Sequence, residues 1–441
     1  MPPIVRIAPS PTGFMHIGTA RTALFNYYFA KRHGGKFLLR IEDTDQQRAT
    51  PGAVEAILKG MQWLGIQWDG EVTYQLAHSA RHAEVAQELV KRGAAYYCYM
   101  TADEIADERE AAETKGQMWH YDRRWRDSTA TPPSGVQPSI RIKAPTGAGA
   151  VTLHDVAQGD VTVDHKQLDD FILLRSDGTP TYMLAVVVDD HDMGITHVVR
   201  GDDHLNNVFR QYLIYQGMGW DFPIHAHVPL IHGADGKKLS KRKGAASIEE
   251  YRDMGYLPEA LRNYLLRLGW SHGDDEIISD AQATEWFDLE HIGQSPAMLD
   301  IDKLNAINHH YMKLRSSEEL LDLMRPFLSE QYTPFIDRHK DRILRGMNGL
   351  KERSKTLIEL AKHAEIYLYD GQVPMDDMAK EKLAQPHAKQ VLEAALTIAA
   401  TDGKAFIEGV LGKTGFKMGQ VGPVLRAALT GTMQSPEMSE V

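Results

Sequence analysis

The chain has 441 residues, 43% of them apolar and 25% charged, with 60 acidic and 49 basic side chains for a net charge of −11. That mix describes a globular protein of two or three domains, and its one cysteine, Cys98, excludes an internal disulfide and a thiolate zinc cluster. The acidity argues against a surface that is basic throughout, while a local basic patch would still suffice for phosphates.

The amino terminus, "MPPIVRIAPS", lacks the basic and apolar regions of a secretion signal. No apolar run approaches the ~18 residues of a membrane span, so a cytoplasmic protein is expected. Ile4 to Ala8 reads as a short buried strand, and a Pro- and Gly-bearing loop runs from Pro9 to Gly18. Ala20, Ala23, Leu24, Tyr27 and Tyr28 then form one helical stripe. Lys36 to Ile41 is the next strand, and Val54, Ile57, Leu58 and Met61 mark another helix. This order predicts a βαβ unit with parallel strands.

From about Val72 to Thr181, polar stretches and the loop "SGVQPS" predict an insertion between two halves of a sheet. Strands are predicted again at Met183 to Val188 and Thr196 to Val199. A helical stripe follows at Leu205, Val208, Phe209, Tyr212 and Leu213, and "HAHVPLI" reads as a further strand. Beyond about Met312 the pattern is helical, and "SSEELLDLMRPFL", with Ser ahead of Glu, predicts a capped helix start.

The triplet His-Ile-Gly occurs twice. His16 lies between a predicted strand and a predicted helix, where open α/β sheets bind ligands, with Gly13 and Gly18 allowing close backbone approach to a phosphate. Its imidazole could donate to a phosphate oxygen in a transition state, or be a loop histidine with an internal hydrogen bond. His291 has acidic neighbours and no strand before it, and is read as chance.

"GKKLSKRKG" places five cations in seven residues between glycines. It reads either as a solvated turn or as a mobile loop that closes over a triphosphate. The cluster Asp189, Asp190, His191 and Asp192, read as extended chain, points its side chains to opposite faces and is not expected to share one ion. Asp202 and Asp203 are read as helix caps and contacts to ligand hydroxyls. Arg6 and Glu42, at the ends of neighbouring strands, could hold the two charges of an amino acid, or form an internal ion pair.

"RIAPSPTGFMHIGTARTALFNY", "RIEDTD", "DGTPTYMLAVVVDDHDMGITHVVRGDDH" and "KKLSKRKGA", in this order, closely resemble the bacterial glutamyl-tRNA synthetases, which are class I aminoacyl-tRNA synthetases. The resemblance extends through "GYLPEALRNYLLRLGWSHGD" to "GQVGPVLRAALTG" near the end. It implies an α/β fold, a Rossmann-like parallel-sheet catalytic domain split by an acceptor-binding insertion and followed by a helical anticodon-binding domain. The expected divisions are 1–71 and 182–230 for the catalytic halves, 72–181 for the insertion, 231–312 for the loop and stem-contact region, and 313–441 for the helical region.

The resemblance also implies residue roles. His16, Gly18 and Thr19 match the family's HIGH element, with Thr19 in place of its last histidine. Lys238, Ser240, Lys241 and Arg242 match its KMSKS element. Glutamate would meet Arg6, Ala8, Ser10, Glu42, Tyr182 and Arg200. ATP, accompanied by Mg2+, would meet His16, Thr19, Lys241 and Asp203. Arg353 matches an arginine of the anticodon-reading region linked with choice of tRNA-Glu, tRNA-Gln being the open alternative. Some relatives carry zinc in the insertion. Here Cys98 is followed by Met100, and Trp125 stands where a further cysteine would fall, so no zinc and no protein metal site are expected.

A monomer is expected. The chain ends at Val441, sooner than in many relatives, which leaves the extent of the anticodon-binding region open. A glutaminyl-tRNA synthetase fits "SPTG" and "KLSKR" less well. A queuosine-type tRNA modifier lacks the helical region, and a non-catalytic paralogue is expected to lose His16 or Lys241. A nucleotidyltransferase acting without tRNA needs neither the insertion nor the helical region.

Overall fold

The computed structural model describes the whole chain except residues 46–48, 118, 234, 238, 240–246, 370–372, 401, 434 and 436–441. Four expected site residues, Lys238, Ser240, Lys241 and Arg242, therefore lie outside the described residues. The chain divides into one unit made of Met1–Glu249 with Arg262–Leu299, and another made of Glu250–Leu261 with Asp300–Val441.

The first unit begins as its apolar pattern predicts. Strand β1 (Ile4–Ile7) is followed by helix α1 (Ile17–Arg32), strand β2 (Lys36–Ile41) and helix α2 (Ala53–Trp63). β1 pairs in parallel with β2, and β2 with the short β3 (Thr73–Tyr74). Helix α3 (Ser79–Lys91) leads to β4 (Ala95–Cys98), helix α4 (Ala102–Thr114), β5 (Ser139–Ile142), the hairpin β6 (Ala150–Asp155) and β7 (Gly159–Asp164), and β8 (Ile172–Leu174). β4, β5 and β8 form an antiparallel sheet of their own. The hairpin instead extends a sheet of order β7-β6-β10-β9, with β9 at His197–Gly201 and β10 at Ile224–Val228.

Several contacts bring the halves together, two of them at β9. Thr196, just ahead of β9, donates its backbone N–H to the carbonyl of Ile4 at 2.9 Å. Asn26 of α1 donates to the Val199 carbonyl at 3.2 Å. The starts of β1 and β9 thus lie together, and both strands run toward the same crevice at their carboxyl ends.

One predicted strand is wrong. Met183 to Val188 lies inside helix α5 (Tyr182–Asp192). Leu184 through Asp190 are all buried, so the helix has no solvated stripe, and a fully apolar run carries no period by which helix and strand differ. Its Val triplet tips the reading toward a strand, and packing overrides that preference. The argument that its acidic residues point to alternating faces of a strand falls with it. Helix α6 (Leu205–Met218) follows the short turn Asp202–His204.

The second unit is helical. Asp300, Ser316, Thr356, Asp376 and Asp402 each cap a helix with a side-chain oxygen, Ser316 in a capping box with Glu319. Ala388, Val391, Val410, Val421, Val424 and Leu425 form one of its apolar centres.

Candidate active site

His16 is the N-cap of α1. Its Nδ1 accepts from the backbone N–H of Gly18 at 3.0 Å, so the ring proton sits on Nε2. The internal hydrogen bond and the donor reading are therefore compatible, since one nitrogen serves each. Gly18 makes room for this: a Cβ there would stand 3.2 Å from His16 Nδ1. His16 also forms an antiparallel bridge with Ser247, and Ile248 donates its N–H to the Met15 carbonyl at 3.0 Å. On the other side of the basic segment, Leu239 is buried and donates its N–H to the Ile231 carbonyl at 3.1 Å. The described end of that segment thus lies against the His16 backbone. His291 lies in a separate 3-10 turn, Leu289–His291, and is exposed.

Arg6, Glu42, Tyr182 and Arg200 come from β1, the residue after β2, the first turn of α5 and β9, and Tyr182 and Arg200 each feel the charge of the other three. Burial holds the Tyr182 hydroxyl up at about 12, with Glu42 adding to the rise and Arg200 and Arg6 opposing it. Burial also raises the Glu42 carboxyl, against the pull of Arg40 and Arg6. Ala8 is half-buried and Ser10 exposed on the loop after β1, and the Pro9 carbonyl accepts from Glu42 N–H at 3.0 Å.

Arg6 does form an internal ion pair, but with Asp190 rather than with Glu42. Arg6 donates through Nε and Nη2 to the two oxygens of Asp190, at 2.9 and 3.0 Å. Arg40, fully buried, reaches Asp190 at 2.7 Å and Glu42 at 3.3 Å. Asp189 accepts from Gln75 at 2.9 Å and lies 2.8 Å from His82 Nε2 and 3.1 Å from His78 Nδ1. The two aspartates are committed to internal partners. Among the described residues no group of three or more His, Cys, Asp or Glu is arranged to hold a metal ion.

Asp202 and Asp203 do not cap a helix with their side chains. The N-caps are Gly201 and His204, and neither has a side-chain cap bond. Burial and then the neighbouring Asp203 raise the Asp202 carboxyl, while Arg21 lowers it. Thr19 is half-buried in the first turn of α1 and Asp203 is exposed. In the insertion, buried Cys98, Met100 and Tyr121 pack with Trp119 and Trp125, and the thiol reaches the Tyr121 hydroxyl oxygen at 3.5 Å.

In the second unit, Arg353 is exposed at the end of helix Lys340–Arg353 and donates to the Ser435 carbonyl. Several neighbours escaped the sequence reading, among them Arg40, Asp155, Gln211 and His227. Only His227 left a signal: it shares a strand face with His225 at i, i+2, and their rings stack 5.9 Å apart.

A family model of the class I tRNA synthetases for glutamate and glutamine, catalytic domain, matches residues 4–306, and an anticodon-binding domain model matches 319–441. The chain is 53% identical to the glutamate–tRNA ligase 2 of Rhodospirillum rubrum, over 99% of this chain and 95% of that protein. It is 52% identical to the glutamate–tRNA ligase 1 of Beijerinckia indica, again over 99% and 95%. Its structure is similar to a crystal structure of a glutamate tRNA ligase from Elizabethkingia meningosepticum in complex with its amino acid. That match has a TM-score of 0.89 and 31% identity, and covers 100% of this chain and 96% of the other.

Proposed function

The chain belongs to the class I tRNA synthetases for glutamate and glutamine, and from that membership we propose that it is a glutamate–tRNA ligase. It activates L-glutamate with ATP to glutamyl-adenylate and pyrophosphate, then transfers glutamate to the 3′-terminal adenosine of tRNA-Glu. The glutamate carboxylate attacks the α-phosphorus, the bond to the bridging oxygen breaks, and pyrophosphate leaves with its electron pair. Little covalent work falls to the protein, so catalysis consists of positioning and charge stabilisation.

The observation that carries this reading is the bridge between His16 and Ser247, which joins the first loop of the sheet to the end of the basic segment. His16 donates from Nε2 to a phosphate oxygen, while Lys241, with Lys238, Ser240 and Arg242, neutralises the departing pyrophosphate. Gly18 and Thr19 let the nucleotide approach the start of α1, and Asp203 meets the ATP. Arg200 and Tyr182 receive the side-chain carboxylate of glutamate. Glu42, with Arg6, Ala8 and Ser10, frames its ammonium and backbone carboxylate. Mg2+ fits here only as a companion of ATP, because the exposed Asp203 beside Asp202 is no cage and magnesium keeps water and phosphate ligands. The Cys98–Trp125 packing supports a reading without zinc.

Arg353 supports choice of tRNA-Glu over tRNA-Gln, and the enzyme works as a cytoplasmic monomer. Among the described residues no helix is long and apolar enough to cross a membrane. The test is charging of separate tRNA-Glu and tRNA-Gln transcripts with labelled glutamate. Label on tRNA-Glu alone is expected. Label on both would remove the discriminating role from Arg353, and label on neither would overturn the function.

A further inference from the structure

Arg200 has a support that lies outside the residues assigned to glutamate. Its Nε donates to His227 Nε2 at 3.1 Å, and its Nη2 donates to Gln211 Oε1 at 2.8 Å and to the His204 carbonyl at 3.5 Å. His227 Nδ1 in turn stands 2.6 Å from Asp155 Oδ2. The other oxygen, Oδ1, accepts from the backbone N–H groups of Ala157, Gln158 and His227 at 3.0, 2.9 and 3.1 Å. Asp155, His227 and Arg200 are all buried. Asp155 ends β6, within the expected insertion, whereas the two residues it supports lie in β10 and β9.

This chain of bonds admits one protonation pattern. A carboxylate only accepts, so His227 Nδ1 carries the proton. A guanidinium only donates, so His227 Nε2 offers its lone pair. The imidazole is therefore neutral, and burial together with Arg200 lowers its tendency to take a second proton although Asp155 favours it. The consequence for Arg200 is specific. The three groups that accept from it, His227 Nε2, Gln211 Oε1 and the His204 carbonyl, are all neutral, while Arg6 is bound in bidentate fashion to the Asp190 carboxylate. Arg200 is oriented without having its charge cancelled by a bonded carboxylate. Its Nη1 is buried and meets no acceptor among the described residues.

We propose that Asp155 and His227 form a positioning relay that fixes the Arg200 guanidinium through a neutral ring, and that selection of a carboxylate over an amide side chain depends on it. The proposal rests on the assignment of the glutamate side chain to Arg200. A fixed guanidinium with one bare N–H and an uncancelled charge favours an anionic acceptor, because leaving that donor unmet in a buried site is costly.

Three variants test the relay. In Asp155→Asn, three N–H groups hold the amide oxygen at the Oδ1 position, so the NH2 takes the Oδ2 position and donates to Nδ1. The ring proton must then move to Nε2 and face the Arg200 N–H. His227→Asn keeps a group beside Asp155 and presents no acceptor to Arg200, whereas His227→Gln can place its oxygen near the Nε2 position. In aminoacylation of tRNA-Glu, Asp155→Asn and His227→Asn are expected to raise the glutamate KM by about tenfold or more, with the ATP KM changed by less than about twofold. His227→Gln is expected to recover part of the loss.

The glutamate-induced rise in melting temperature, read on the same variants, should shrink in the same order and needs no turnover. Equal effects of the two His227 variants, or parallel rises in glutamate and ATP KM, would overturn the relay while leaving the function intact. If both His227 variants fail to fold, Asp155→Asn decides alone, and an unchanged glutamate KM there would overturn it. A wild-type enzyme that puts no glutamate on tRNA-Glu would overturn both, and that result is read without any variant.

Discussion

Arg6 donates two hydrogen bonds to Asp190, at 2.9 and 3.0 Å, across 184 positions of the chain. With Arg40 on the same carboxylate at 2.7 Å, one side chain of α5 ties β1 to β2 at the floor of the crevice. Burial alone would raise the Asp190 carboxyl, but Arg6 and Arg40 more than offset it and hold it well below the usual carboxylate range. The opposing cations, not exposure, keep this buried acid ionised.

Asp190→Asn should therefore destabilise the protein by ~3–5 kcal/mol at neutral pH, because two buried guanidinium groups lose their shared counter-charge. A group whose folded pKa is depressed stabilises above its unfolded pKa and loses that contribution as pH falls toward the folded value. The gap between wild type and variant should thus hold down to pH ~4 and narrow below it. Urea unfolding at several pH values measures this. A variant within ~1 kcal/mol of wild type at neutral pH would mean the pair is not the tie described.

His16→Asn separates capping from chemistry. Asparagine is a good N-cap, and its oxygen can take the Gly18 N–H that Nδ1 now accepts. The Nε2–H donor is lost. Stability should stay within ~0.5 kcal/mol while kcat for adenylate formation falls about 100-fold. His16→Ala should lose both, with ~1 kcal/mol of stability gone. Single-turnover adenylate formation and thermal melts read the two separately. Retained turnover in His16→Asn would leave His16 as a cap alone.

Much of this site was legible because its parts are local. His16 follows a strand–loop–helix pattern, and the strand ends that carry Arg6, Glu42 and Arg200 could be read from short apolar runs. The partners were not legible. Nothing in the neighbourhood of Arg6 indicates Asp190 rather than Glu42, since that choice is made by a helix packed from far along the chain. The same helix was read as a strand, since a segment buried on every side shows no period. Asp155 was invisible for a related reason: it lies in a stretch whose composition marks it as an insertion, yet its hairpin joins the second half of the sheet.

One buried histidine, His225 of β10, predicts a limb in the pH–stability curve. Burial, then Arg200 and His227, lowers it to about 3. Its neutral ring stabilises fully above an unfolded pKa of ~6.5 and loses that contribution as pH falls toward the folded value, with a limiting slope of about 1.4 kcal/mol per pH unit. His225→Phe keeps a ring against Phe222, where the rings now lie 4.6 Å apart, and removes the titration along with the bond to the Pro223 carbonyl. It should lower stability modestly at neutral pH and flatten the curve between pH ~6.5 and ~4. An unchanged slope would assign that limb to other groups.

Arg200→Gln should weaken use of glutamate by about 10- to 100-fold in kcat/KM, the worth of one hydrogen bond to a charged group. An amide at this position can meet either a carboxylate or another amide, so the preference for glutamate over glutamine should narrow. Competition between the two labelled amino acids on tRNA-Glu measures the ratio, and an unchanged ratio would remove Arg200 from selectivity. The same background gives a cycle with Asp155→Asn. If Asp155 acts through His227 on the guanidinium, its substitution should have little further effect on glutamate KM once the guanidinium is gone. Independent supports would instead add their effects in the double variant. The cycle therefore tests whether the insertion's carboxylate reaches the substrate through Arg200 or merely stabilises the sheet, because a loss through general destabilisation would persist in either background.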